Sequence, residues 1–72
     1  MDKDDFLKQL GHNIKTIRES KGISQQQLAA ECNFEKSNMS RIEAGRTNPT
    51  IFTLYKIALA LNISLEEIIT TI

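Results

Sequence analysis

Apolar residues recur in helical steps along almost the whole chain. Phe6, Leu7, Leu10, Ile14 and Ile17 follow one another at three- and four-residue intervals, the stripe of an amphipathic helix with one face toward a core. This spacing predicts a first helix from about Asp4 to Lys21. Aspartates suit its electropositive start, and Gly22 ends it in the left-handed conformation that glycine adopts most easily. Ser24, with Gln27 three residues on, has the spacing of a capping box: the hydroxyl accepts from a first-turn amide and the glutamine reaches back. Leu28, Ala29 and Cys32 give that second helix a short apolar face. Asn33, a residue that tolerates left-handed backbone, marks the turn. Phe34 follows, and Glu35 or Lys36 opens a third helix with Met39 and Ile42 inward and Gly45 as its stop.

Arg46 to Pro49 reads as a polar loop. Thr50 caps a fourth helix carrying Leu54, Ile57, Ala58 and Leu61 inward, and Asn62 ends it. Ser64 and Glu67 repeat the capping box, starting a fifth helix with Leu65, Ile68 and Ile69. Strand alternation is missing; the terminal Ile-Ile-Thr-Thr-Ile has β propensity but is too short and too late to pair. The pattern predicts an all-α fold of five short helices in one domain spanning 1–72. A chain of 72 residues buries only about 60% of its unfolded surface, so its single core supplies about 3–5 kcal/mol.

Nine basic and nine acidic residues give no net charge, a balance that counts against strong non-specific attraction to a polyanion. The distribution is uneven, however. Asp2, Asp4 and Asp5 crowd the start and Glu66 and Glu67 the end. Lys36, Arg41, Arg46 and Lys56 face only Glu43 in the segment between 36 and 56. A small phosphate-contacting patch fits that middle. One cysteine, Cys32, allows no intrachain disulfide and suits a reducing compartment; its place on an apolar face makes it a packed thiol. The acidic start is unlike a secretory signal, and no apolar run approaches the roughly 20 residues of a membrane span. A cytoplasmic protein without membrane contact is expected. His12 stands alone, so no metal site is expected. No Ser/His/Asp set, glycine-rich phosphate loop or carboxylate pair offers catalysis, and neither an enzyme activity, a cofactor nor a small-molecule ligand is expected.

The middle of the chain is more specific than five helices alone. Ser24-Gln25-x-x-Leu28-Ala29, Cys32-Asn33-Phe34, Ser37-x-Met39-Ser40-Arg41-Ile42-Glu43-x-Gly45 and Asn48-Pro49 resemble the lambda-repressor-like, Cro and xenobiotic-response-element (XRE) family. Leu54-x-x-Ile57-Ala58-x-Ala60-Leu61 and Ser64-Leu65-Glu66-Glu67 continue the match, which runs from about residue 10 to residue 69. Asn33 stands where the family often has glycine, and Glu35 where it has a serine or threonine cap. The resemblance implies a compact five-helix lambda-repressor-like domain. Its second and third helices would form a helix-turn-helix, the third entering the major groove of double-stranded DNA.

The recognition face can also be projected from the residues. At about 100° per residue, Met39 and Ile42 define the buried side of the third helix. Ser37, Ser40 and Arg41 then point outward, with Lys36 and Asn38 on the flanks. These five are the candidate base-contacting residues: arginine can fork onto guanine, serine can bond either partner, and asparagine suits adenine. Gln25, in the first turn of the second helix, is a candidate phosphate contact through its side chain and neighbouring amides. Arg46 and Thr47, after Gly45, are expected to combine a cation with unpaired backbone amides. Glu43 falls on the core side, where an acid needs a partner, and the resemblance implies Arg18 as that partner in a structural ion pair.

The fourth helix carries a second apolar stripe, Phe52, Tyr55 and Leu59, which Ile69 and Ile72 could extend. A five-helix domain this small cannot bury two stripes of one helix, so this face is the candidate homodimer interface. Two-fold dimers place recognition helices on half-sites about 34–36 Å apart. No sensing domain is expected beside the five helices. A regulator of this kind would respond to its own concentration, as Cro-like repressors and restriction-modification controllers do. The function expected is transcription regulation from a palindromic operator. Two alternatives stay open: an antitoxin that represses its own operon, and a protein-interaction module that keeps the fold without DNA binding.

Overall fold

Side-chain caps set four of the five helix starts in the computed structural model, which describes residues 1–70 and 72. Helix α1, Lys3–Ser20, opens on the Asp2 carboxylate, which accepts from the Asp5 amide at 2.8 Å. Helix α2, Gln25–Glu31, and helix α5, Leu65–Ile69, open with full capping boxes at Ser24/Gln27 and Ser64/Glu67. Helix α4, Ile51–Leu61, is capped by Thr50 on the Thr53 amide. Helix α3, Lys36–Glu43, is the exception: Glu35 stands in the cap position and makes no side-chain bond. No strand occurs among the described residues.

The first four helices end alike. Gly22, Asn33, Gly45 and Asn62 all have left-handed backbone. Around each, two amides fold back onto the last turn, as in Phe34 N to Ala29 O at 2.8 Å and Asn33 N to Ala30 O at 3.1 Å. These bonds satisfy carbonyls that a helix end otherwise leaves unpaired. Asn33 meets this requirement in the turn between α2 and α3.

The core draws Leu7, Leu10 and Ile14 from α1, Leu28 and Ala29 from α2, and Met39 and Ile42 from α3. Leu54, Ile57, Ala58 and Leu61 of α4 and Ile68 of α5 complete it, with Cys32 closing the end of α2. Burial pushes the Cys32 thiol pKa up, so the sulfur behaves as a small apolar group. Asn13 Nδ2 donates to the Ile68 carbonyl at 2.8 Å, tying α5 back to α1.

One stripe assignment needs correction. Phe6 is exposed, because α1 buries the line Leu7, Leu10, Gly11, Ile14 and Arg18 and Phe6 falls on its shoulder. In α5, Ile68 is fully buried and Ile69 is exposed.

Candidate nucleic-acid interface

Helix α3 is anchored from beneath by Met39, Ile42 and Glu43, all buried. That anchoring leaves Lys36, Ser37, Ser40 and Arg41 exposed and Asn38 half-buried. The outward row is built from two short hydroxyl side chains and two long cations. Short residues let a helix approach base edges closely while the cations reach past them. Arg41 Nη2 donates to Asn38 Oδ1 at 3.0 Å, so Asn38 presents its oxygen to the arginine.

Beneath this face lies a buried polar knot. Arg18 Nε donates to Glu43 Oε2 at 2.7 Å and Arg18 Nη2 to Glu43 Oε1 at 3.0 Å. This is the paired fork that makes arginine–carboxylate contacts strong and directional. Arg18 Nη1 also donates to the Ile23 carbonyl at 2.8 Å, in the loop before α2. The bonds to Glu43 push the guanidinium pKa up. Gln25 Nε2 adds a third donor to Glu43, on Oε1 at 3.1 Å. No buried side-chain nitrogen or oxygen among the described residues lacks a partner. The Arg18–Glu43 pair thus joins α1, the loop before α2, α2 itself and α3. The bond to Gln25 was not foreseen from sequence, where Glu43 signalled one partner and not two.

The loop after α3 differs from expectation. The Gly45 amide bonds Ile42 O at 3.1 Å and the Arg46 amide bonds Arg41 O at 2.9 Å. Both amides close the helix and are not open to an anion. What Arg46 offers there is its exposed side chain, with half-buried Thr47 beside it. Lys56, the fourth cation of the basic segment, lies over the Phe34 ring at 4.8 Å, close to the α2–α3 turn.

The second apolar stripe is exposed on α4. Phe52 is 66% accessible and Leu59 61%, with Tyr55 between them; Phe52 and Tyr55 stack at 6.2 Å. The sequence reading missed Ile51, 69% accessible. It extends the stripe to an apolar groove shared with Phe6 and Ile69. Its helical angle, just beside Tyr55 and Leu59, was the available signal. Ile72 is half-buried against the core edge and adds little to the exposed stripe. No group of three histidine, cysteine or acidic side chains able to hold a metal occurs among the described residues. No helix among them is long and apolar enough to cross a membrane.

Comparison with known proteins agrees with this geometry. Residues 14–68 match the model of the HTH_3 family, described as helix-turn-helix. The chain is 39% identical over 66 residues to the HTH-type transcriptional regulator y4dJ of Sinorhizobium fredii, spanning 92% of this chain and 86% of that protein. Several other regulators it matches are longer, and it spans less than half of their length. Among solved structures, the restriction-modification controller protein C.AhdI from Aeromonas hydrophila superposes with a TM-score of 0.84 at 31% identity, over 86% of this chain and 94% of that one. The biofilm master regulator SinR, crystallised in complex with DNA, superposes with a TM-score of 0.75 at 37% identity, over 82% and 95%. This chain therefore belongs to the HTH_3 helix-turn-helix family, the XRE and lambda-repressor-like group of DNA-binding transcriptional regulators.

Proposed function

We propose that the chain is a homodimeric regulator that binds a two-fold symmetric operator, reading bases with the outer face of α3. The observation that carries this reading is the row Ser37, Ser40 and Arg41, exposed on a helix whose opposite side is buried. Lys36 and Asn38 flank the row as further base contacts. Gln25, Arg46 and Thr47 serve as phosphate contacts, with Arg46 acting through its side chain. A single module of this size buries about 600–1,000 Å² on DNA, little for selecting one site in a genome. The exposed stripe Phe52, Tyr55 and Leu59, with Ile51 and Ile69 at its edge, supports pairing through a second copy. The protein acts by occupancy in the cytoplasm, without catalysis or cofactor.

A protein-binding role without DNA affinity draws support from the neutral net charge and from Glu35 at the start of α3. Binding to a mixed-sequence duplex at several salt concentrations separates the two. A regulator retains the duplex at low salt and releases it with a log-linear salt slope. A pure protein-binding module shows no retention at any salt.

A further inference from the structure

We propose that Glu43 is a positioning residue for DNA binding, which acts by holding the Gln25 carboxamide with its nitrogen inward and one N–H directed outward. This rests on the reading of Gln25 as a phosphate contact. Gln25 and Glu43 lie on different helices, and Gln25 Nε2 donates to Glu43 Oε1 at 3.1 Å. The Glu43 carboxylate is nearly enclosed, with 3% of its side chain accessible, so it cannot turn away to water.

The chemistry fixes the orientation. An ionised carboxylate accepts and never donates, so only the NH₂ end of Gln25 can face it. A carboxamide nitrogen carries two hydrogens. One is taken by Glu43, which leaves the other to donate to a phosphate oxygen, itself an acceptor. If the amide were flipped, two acceptor oxygens would confront each other inside. Pre-set donors bind more tightly because their rotamer freedom is already lost before the partner arrives.

A carboxylate so close to a phosphate would normally repel it. Arg18 removes that objection. Its guanidinium engages both Glu43 oxygens, at 2.7 and 3.0 Å, so the pair presents no net charge to the DNA. Arg18 also bonds the Ile23 carbonyl, one residue before the Ser24 cap, and so holds the chain that leads into Gln25. The ion pair therefore has two tasks: it joins α1 to α3 and it aims a side chain of α2.

The test is a double-mutant cycle on affinity for a mixed-sequence duplex, at a temperature where circular dichroism shows every variant folded. The variants are Q25A, E43Q and Q25A/E43Q. A second series replaces the whole pair with R18M/E43L, with and without Q25A, because apolar residues of similar volume can replace a buried ion pair without loss of fold. Loss of one oriented hydrogen bond predicts a threefold to tenfold weakening by Q25A, on the order of the net worth of such a bond. E43Q and R18M/E43L should weaken binding similarly in the parent. Neither should weaken it further in the Q25A background. Equal losses with and without Gln25 would show that Glu43 acts through the fold alone and overturn the proposal. An unchanged affinity for Q25A would remove the phosphate reading itself, a result visible before the cycle is closed.

Discussion

Gly11 of α1 lies so close to Glu43 of α3 that a Cβ on the glycine would overlap the Glu43 carbonyl carbon and oxygen, and the Ile42 carbonyl oxygen with them. Glycine inside a helix is unfavourable by roughly 0.5–1 kcal/mol relative to alanine. Here it allows the end of α3 to rest directly on α1. That contact sets the depth at which α3 sits and brings Glu43 within reach of Arg18, two helical turns further along α1.

Gly11→Ala should therefore destabilise the fold despite the better helix propensity of alanine. The obstacle is backbone, which cannot rotate aside as a side chain would. We expect a net loss of about 1–3 kcal/mol, the usual penalty of overpacking. Urea unfolding of the variant measures it; an unchanged or raised midpoint would show that α1 and α3 are not in such close contact.

Glu43→Ala should weaken the fold more, by about 3–5 kcal/mol, because it strands the buried Arg18 guanidinium without a partner. Only 8% of the Arg18 side chain and 3% of the Glu43 side chain are accessible, so water cannot substitute. Chemical denaturation reads the loss, up to unfolding of the variant without denaturant, and a midpoint matching the parent would contradict a buried pair.

Much of this was legible in the sequence. Gly22, Asn33, Gly45 and Asn62 stand where the chain must turn left-handed, and each is a residue type that tolerates it. Ser24/Gln27 and Ser64/Glu67 announce helix starts by local chemistry alone. The failures share another cause. Phe6 has the right residue type for a core but sits at the shoulder of its helix, and only the positions of α4 and α5 decide which shoulder is covered. The amide of Arg46 closes α3, a consequence of how the helix ends and not of residue type. Gly11 and the bond from Gln25 to Glu43 depend on how two helices approach one another, which periodicity within one helix does not encode. The face of α3 was legible because it is the complement of a short buried side.

Base reading and phosphate positioning predict different signatures. Arg41→Ala should lose about 1–3 kcal/mol on the preferred duplex and relax preference at one base position. Arg46→Ala should weaken all duplexes nearly equally and flatten the salt slope by about one unit. Competition among single-base variants of one duplex, repeated at two salt concentrations, separates them. A base-selective loss from Arg46→Ala would reverse the assignment.

The apolar stripe on α4 predicts self-association. Phe52→Glu together with Leu59→Glu should give a folded monomer, since like charges would meet across the two-fold axis as they lose water. Neither side chain belongs to the core, so the helical signal should persist. Sedimentation of parent and variant at micromolar concentration reads the outcome, and a monomeric parent would remove the dimer.

The most direct test of the account is selection of bound duplexes from a random-sequence pool by the unmodified protein. The account predicts enrichment of an inverted repeat, with half-site centres about 34–36 Å apart along the duplex, and loss of enrichment at one position of each half-site for Arg41→Ala. A pool that emerges unenriched, or enriched only for a single unpaired half-site, would contradict it.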